Sequence, residues 1–187
     1  MRKTSVERET KETTVKVEFN LDGSGKADVE TGIRFFDHLL EAFSKHGRFD
    51  LVAKSKGDFD HHIAEDTMIA LGKALQEAVG DKKGIRRMGD AIVPMDDSLA
   101  LVAIDLGGRV YSDIEVVFEK EKLIDLNSDL FVHLIETLAS NSDCNLHVDL
   151  LRGSNDHHKA EAIFKGLGIA LSEAVTEIDG EIPSTKG

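Results

Sequence analysis

The sequence lacks tryptophan, has one tyrosine and one cysteine, and only 5% of its 187 residues are aromatic. A lone cysteine, Cys144, cannot form an internal disulfide, which favours a reducing compartment such as the cytoplasm. The scarcity of aromatic rings disfavours the stacking platforms of proteins that bind single-stranded nucleic acid. No apolar run approaches the roughly 18 residues of a transmembrane helix, and the polar stretch 1–14 does not resemble a signal peptide. We therefore expect a soluble cytoplasmic protein.

Positive charge is also scarce. The chain has 23 Lys and Arg residues against 35 Asp and Glu residues, a formal net charge of −12. Such acidity disfavours nucleic acid or an anionic membrane surface as a partner, although a few local cations could still bind a small anionic substrate. With 41% hydrophobic residues, the chain is long enough for one sizeable domain or two small ones that share a core.

The first half of the sequence predicts strands and helices in the order β-β-α-β-α. Residues 13–21 alternate between apolar and polar side chains, which predicts a half-buried strand. After a turn at 22–25, residues 26–30 are expected to complete a hairpin with it. The spacing of apolar residues then predicts a helix at 35–46, a strand at 49–55 and a second helix from Asp60 onward.

The second half repeats this order. Strands are predicted at 99–106 and 110–118, a helix at 130–138, a strand at 145–151 and a helix at 156–175. The pattern Gly-x-x-Asp-His-His-x-x-Glu occurs at 57–65 and again at 153–161. Such self-similarity predicts an internally duplicated α+β fold, a single domain whose two similar halves, about 10–90 and 91–180, have sheets covered by helices.

Histidines and glutamates at equivalent positions in the two halves predict a metal site. On a helix, His61 and Glu65 share one face and can chelate one ion, whereas His62 points ~100° away and suits a different ion. Imidazole and carboxylate donors without thiolate favour Mn²⁺ or a similar ion. Any one of these histidines could instead cap a helix, but the doubled set argues against that interpretation. The full predicted ligand set is His38, His61, His62, Glu65, His133, His157, His158 and Glu161.

Other polar residues have two interpretations on sequence alone. Arg87 and Arg109 are more readily solvated surface arginines than anion-binding groups. Lys165 could reach the metal region or simply pair with Glu161, four residues earlier. The remaining candidates have ordinary alternatives: a helix cap for His46, a surface carboxylate for Glu12 and a frayed end for residues 183–187.

Several motifs resemble those of the imidazoleglycerol-phosphate dehydratase family, and the match covers nearly the whole chain. The runs that carry it lie at 31–38, 45–50, 60–66, 94–97, 105–111, 155–165 and 182–187. The resemblance implies a duplicated α+β fold similar to domain 2 of ribosomal protein S5. It also implies two Mn²⁺ ions per active site and a 24-subunit shell with active sites at subunit interfaces.

The resemblance further implies a hydro-lyase of histidine biosynthesis. Such an enzyme dehydrates D-erythro-imidazole glycerol phosphate to imidazole acetol phosphate, through an imidazolate bound by both metal ions. Glu12 matches a substrate-contacting glutamate that takes part in proton transfer, and Glu65 and Glu161 are both ligands and catalytic carboxylates. Substrate binding falls to Glu12, His46, Arg87, Arg109, Lys165, Ser184 and Lys186, which makes the tail 181–187 a substrate-binding segment. Arg34 departs from the family pattern, which has a small residue or proline there.

Two other functions remain compatible with the ligand set. A dinuclear metallohydrolase of a phosphate ester would use the same donors and a metal-activated water. A metal-storage or scaffold protein would use the donors without a substrate. Release of free phosphate would identify the hydrolase, a keto product the dehydratase.

Overall fold

The computed structural model describes residues 2–178, which form ten strands and four helices. The first half contains β1 Lys3–Glu9, β2 Thr13–Asn20, β3 Ala27–Glu30, α1 Arg34–Gly47, β4 Asp50–Gly57 and α2 Asp60–Val79. The second half contains β5 Met88–Met95, β6 Ser98–Asp105, β7 Tyr111–Glu115, β8 Lys122–Leu123, β9 Leu126–Asn127, α3 Ser128–Asn141, β10 Asn145–Arg152 and α4 Asp156–Ala174. Within 2–178, no helix has both the length and the apolar character needed to cross a bilayer.

Each half builds one four-stranded sheet, in the orders β1-β2-β4-β3 and β5-β6-β10-β7. The predicted β-β-α-β-α order is present in both halves, which confirms the duplicated α+β fold. Each half begins with one further strand, β1 or β5. The predicted hairpin between residues 13–21 and 26–30 is wrong: β3 pairs in parallel with β4. Strands β1 and β4 flank β2 on its two edges, so β3 cannot pair with β2, and it joins the sheet at the far edge of β4.

The helices pair across the two halves, with α1 against α4 and α2 against α3. A pair of equivalent glycines allows these close crossings. A Cβ on Gly72 would lie 2.7 Å from the Cβ of Asn141 in α3, and a Cβ on Gly168 would lie 2.9 Å from the backbone nitrogen of Gly47 in α1. Buried side chains from both sheets and all four helices form one continuous hydrophobic core.

One segment has no counterpart in the other half. Residues 116–127, which we call the insertion, join β7 to α3, whereas only residues 31–33 join β3 to α1. The Asp125 carboxylate accepts hydrogen bonds from the backbone N–H of Arg34 (3.1 Å) and Phe35 (2.9 Å) at the start of α1. Asp156, the first residue of α4, accepts backbone hydrogen bonds from residues 119 and 120. The insertion is thereby attached to the N-termini of α1 and α4.

Replacing Asp125 with alanine should reduce the free energy of unfolding at pH 7 by about 1–2 kcal/mol, because two backbone donors at the start of α1 lose their acceptor. Burial raises the pKa of Asp125, but hydrogen bonds from Phe35 and Arg34 outweigh this, and the pKa lies below its usual value. A depressed carboxyl pKa stabilises the fold above the unfolded pKa of about 3.9 and loses that contribution as the pH falls through the folded value. Urea unfolding at several pH values should therefore show that the difference in the free energy of unfolding between the variant and the unchanged protein shrinks below about pH 4. An equal stability of both proteins at pH 7 would contradict this prediction.

Candidate metal and substrate site

Helices α1 and α4 bring together His38, His157 and Glu161, which we call the first cluster. Their ligand atoms all lie within 4.8 Å of one another. One oxygen of Glu161 lies 3.1 Å from Nε2 of His157 and 3.4 Å from Nε2 of His38, and the other lies 2.7 Å from Nζ of Lys165. Burial raises the pKa of Glu161, but the hydrogen bonds from Lys165 and His38 outweigh it and hold that pKa below its usual range. The carboxylate is therefore ionised at neutral pH.

Helices α2 and α3 bring together the equivalent residues His61, Glu65 and His133, which we call the second cluster. Glu65 lies 3.0 Å from Nε2 of His133 and 3.7 Å from Nε2 of His61. The Glu65 side chain is 33% exposed, against 10% for Glu161. Ile69 occupies the position equivalent to Lys165, so the second cluster has no lysine there. The two clusters thus share their donors but differ in charge and exposure.

The second histidine of each pair points to a different group of residues. Nδ1 of His62 lies 2.9 Å from Asp58 and 3.7 Å from Glu12. The hydrogen bond to Asp58, aided by the charge of Glu12, raises the pKa of His62. Nδ1 of His158 lies 2.7 Å from Asp97. Adjacent histidines therefore lie in separate groups, as the helix geometry predicts.

Asp97 is a candidate site residue to which no role was assigned from the sequence. Its carboxylate accepts hydrogen bonds from the backbone N–H of Ser154 (2.6 Å) and Asn155 (3.0 Å) as well as contacting His158. These hydrogen bonds, of which the one to His158 has the largest effect, hold the pKa of Asp97 far below its usual value. Asp97 immediately precedes β6, as Glu12 immediately precedes β2. This equivalence could have identified Asp97, had β1 and β5 been recognised as strands.

Two of the candidate phosphate-binding residues lie near the first cluster. Lys165 pairs with Glu161, which is one of the two interpretations left open by its spacing. His46, near the end of α1, has a pKa lowered by partial burial and by the charge of Lys165. A neutral imidazole and an ammonium group therefore lie next to the predicted metal ligands.

Arg87 and Arg109 lie at the opposite end of α4. The backbone N–H of Arg87 donates to the carbonyl of Ala174, the last residue of that helix. Helix α4 is 19 residues long, which corresponds to about 28 Å at 1.5 Å per residue, and the first cluster lies at its other end. The Arg87 guanidinium pairs with Asp105 at 2.6 Å, and Arg109 is exposed in the following turn. One chain thus does not bring these arginines to the first cluster. Ser184 and Lys186, with the tail 181–187, lie outside the described residues.

A cavity of about 460 Å³ opens beside the first cluster. The volume of this cavity falls within the range of small-molecule sites. On its wall, the ring centroid of Phe35 lies 4.9 Å from that of His157. The residues that line it are Arg34, Phe35, His38, Ile124, His157 and Glu161.

The donor sets of both clusters fit a divalent first-row ion. Each offers two imidazole nitrogens and a carboxylate, without thiolate, which is a combination suited to Mn²⁺, Fe²⁺ or Zn²⁺. The closest nitrogen-to-oxygen distances, 3.0–3.7 Å, are those expected for two donors that share one ion at about 2.1 Å each. Both clusters also leave coordination positions for further ligands.

Comparisons with known proteins agree with this geometry. The profile of the family "Imidazoleglycerol-phosphate dehydratase" matches residues 31–171. The chain is 52% identical to the imidazoleglycerol-phosphate dehydratase of Methanothermobacter thermautotrophicus, with 100% of this chain and 97% of the relative covered. It is also 52% identical to that of Dehalococcoides mccartyi strain 195, covering 100% of this chain and 96% of the relative.

Two solved structures have the same fold. The crystal structure of IGPD from Pyrococcus furiosus, in complex with (S)-C348, has a TM-score of 0.86 and 36% identity, with 97% of this chain and 99% of that chain covered. The structure of the dehydratase from Staphylococcus aureus also has a TM-score of 0.86, with 33% identity and 94% and 99% coverage. The chain therefore belongs to the imidazoleglycerol-phosphate dehydratase family.

Proposed function

We propose that this chain acts in the cytoplasm as a hydro-lyase that dehydrates D-erythro-imidazole glycerol phosphate to imidazole acetol phosphate in histidine biosynthesis. The observation that carries the proposal is the doubled histidine–carboxylate cluster in a chain that is 52% identical, over its whole length, to a named dehydratase. The same relationship disfavours the phosphate-ester hydrolase, which the donor set alone had left open.

The proposed cofactors are two Mn²⁺ ions per active site. The first and second clusters each supply three donors, and His62 and His158 complete the proposed set of eight. When bound, such ions would act as Lewis acids that favour loss of a proton from the imidazole ring, and the deprotonated ring is the better source of electrons for expelling the side-chain hydroxyl. Because His62 and His158 point away from the clusters of their own chain, they would serve ions held by neighbouring subunits.

The chain's own residues have distinct roles in this proposal. Glu12 lies 3.7 Å from His62 with a 57% exposed side chain, so its carboxylate can reach a substrate and carry a proton to or from it. Glu65 and Glu161, which would bind the ions, are the other two proposed catalytic carboxylates. Lys165, with His46 nearby, would bind the phosphate or the hydroxyl end of the substrate and hold the reacting carbons in place.

Self-association follows from the division of the candidate residues between the two ends of α4. If Arg87 and Arg109 bind phosphate at the first cluster, that cluster must belong to another copy. This supports the proposed 24-subunit assembly with shared active sites, in which every chain contributes both ends of its helix.

Mixing two inactive variants should restore activity if the sites are shared. His157→Ala disables the first cluster, and Arg109→Ala removes a proposed phosphate contact at an exposed position. When the two variants are refolded together, they should regain a measurable fraction of the original turnover. Some sites would then combine an intact first cluster from one variant with an intact Arg109 from the other. Each variant refolded alone is the control. Mixed assemblies that form but stay inactive would contradict shared sites.

The function itself is tested with imidazole glycerol phosphate and chelator-treated protein, with and without added Mn²⁺. We expect formation of a keto phosphate without release of free phosphate, and dependence on the added ion. Release of inorganic phosphate would establish hydrolysis instead, and metal binding without any product would support the storage protein.

Asp97→Asn should weaken Mn²⁺ binding by about 10–100-fold, because the carboxylate holds Nδ1 of His158 and so orients Nε2 for an ion. Asp149→Asn, which makes the same charge change on the exposed face of β10, is the matched control. Titration of the metal-free protein with Mn²⁺ measures both affinities, and circular dichroism checks the fold. An affinity equal to that of the Asp149 variant would remove Asp97 from the site.

A further inference from the structure

The tip of the insertion contains a turn whose geometry conflicts with its sequence. Ile124 and Asp125 form a two-residue loop between the paired residues Leu123 and Leu126. Ile124 has φ 64°, in the left-handed region, whereas Asp125 is not among the residues with positive φ. A positive φ at only the first central position is the pattern of a type II′ turn, which favours glycine there. A β-branched residue in this position is strained.

The turn is held in place by residues other than Ile124. Leu123 and Leu126 are 3% and 1% exposed in the core, and Asp125 is bonded to the start of α1. The Ile124 side chain is itself 58% exposed. Core packing therefore does not explain why an isoleucine occupies a position suited to glycine, and strain of this kind is often found where a side chain serves a function.

Ile124 instead lines the cavity beside the first cluster, together with Phe35. The cluster offers polar atoms that could bind the edge of a small ring, and Ile124, backed by the buried Phe35, offers the apolar surface that a face of such a ring requires. Around the second cluster, the equivalent connection is only residues 31–33, which are too few to form a comparable hairpin. The apolar wall thus distinguishes one cluster from the other.

We propose that Ile124 is a substrate-contact residue that packs against the imidazole ring of a substrate bound at the first cluster. This inference rests on the proposed function, because it takes the ring of imidazole glycerol phosphate as the occupant. The insertion acts as a fixed support, with Asp125 setting its position relative to His38. Contact with the ring compensates for the strain of placing a branched side chain at the turn.

Two substitutions separate the effect of strain from that of contact. Ile124→Gly relieves the strain and removes the wall, so its thermal midpoint should rise by a few degrees. Its KM for imidazole glycerol phosphate should rise about tenfold, the effect of losing partial burial of one isoleucine, with kcat changed less than about twofold. Ile124→Ala should weaken binding similarly without the gain in thermal midpoint. Calorimetric titration of the Mn²⁺-loaded proteins with imidazole should show the same loss of affinity.

Arg48→Gly is the matched control for strain. Arg48 has φ 60°, is exposed, and ends α1 away from the cavity, so its replacement should raise the thermal midpoint with KM unchanged. Unchanged KM and imidazole affinity in both Ile124 variants of an active enzyme would overturn this inference and leave the proposed function intact. If the protein without substitutions is inactive on imidazole glycerol phosphate, the proposed function is overturned. The imidazole titration would still show whether Ile124 contacts a bound ring. A smaller assembly with unaltered imidazole affinity would assign Ile124 to a subunit contact and overturn the inference.

Discussion

Replacing Glu12 with glutamine should lower turnover by about 10²–10⁴-fold, the range expected for loss of a group that transfers protons. Glutamine has nearly the same shape but cannot accept the proton. The Glu12 carboxylate is 3.7 Å from His62 and mostly exposed, and Asp58 makes the closer contact to that histidine at 2.9 Å. Metal content and substrate affinity should therefore stay close to those of the unchanged protein.

Glu9→Gln is the control for Glu12→Gln. It makes the same charge change on the same hairpin, at an exposed position at the end of β1. Single-turnover kinetics measure the chemical step, and elemental analysis measures bound Mn²⁺. Near-normal turnover in Glu12→Gln would remove this residue from the mechanism, and a loss of metal equal to the loss of activity would make it a ligand instead.

Glu161→Gln should remove the ion proposed for the first cluster and lower kcat by at least about 10³-fold, because the ring would lose one of its two Lewis acids. Glu161 is buried and contacts His38, His157 and Lys165. In metal-free protein, the amide would leave the lysine without its carboxylate, which should reduce the free energy of unfolding by about 1–3 kcal/mol.

The equivalent substitution Glu65→Gln distinguishes the metal effect from the stability effect. It should also remove one ion, but the metal-free protein should be less affected, because Glu65 is more exposed and has Ile69 in place of a lysine. Glu136→Gln, on the exposed side of α3, is the charge-matched control for both. Glu161→Gln protein that retains two ions per chain would contradict the assignment of this carboxylate as a ligand.

The sequence predicted the fold where burial produces a clear period. Alternation marked β2, whose inward residues Val15, Val17 and Phe19 are all buried. Strand β5 escaped notice because Met88 and Ile92 are apolar but exposed, and β1 because its inward positions are not uniformly apolar. In β1 these positions are Thr4, Val6 and Arg8, and Arg8 pairs with a carboxylate of α2. Edge strands of this composition have no alternation that a sequence pattern can reveal.

The predicted hairpin failed for a related reason. Adjacent strand patterns separated by a turn favour pairing with each other, but β1 already occupied one edge of β2 and β4 occupied the other. Without β1, the partner of β3 could not be inferred. Strand order depends on which edges are free, and that depends on every strand in the sheet.

For the candidate site, spacing on one helix predicted the pairs His61–Glu65 and His157–Glu161, because residues four apart share a helix face. It could not predict that His133 would meet Glu65, since that contact depends on the packing of α2 against α3. Asp97 was missed because its contact with His158 depends on its position in a hairpin. Ile124 was missed because its strain depends on a backbone angle. The tail residues proposed from the family resemblance stay predictions.

The pairing of helices across the two halves has a consequence for how this chain folds. His38 and Glu161 are 123 positions apart in the sequence, so a complete first cluster exists only after a very long loop has closed. Each ion would therefore link the two repeats and stabilise the folded state, because it binds the folded state and not the unfolded chain. Neither repeat expressed separately would carry a complete cluster. Depletion of metal would therefore remove links between the two halves that no single repeat can supply.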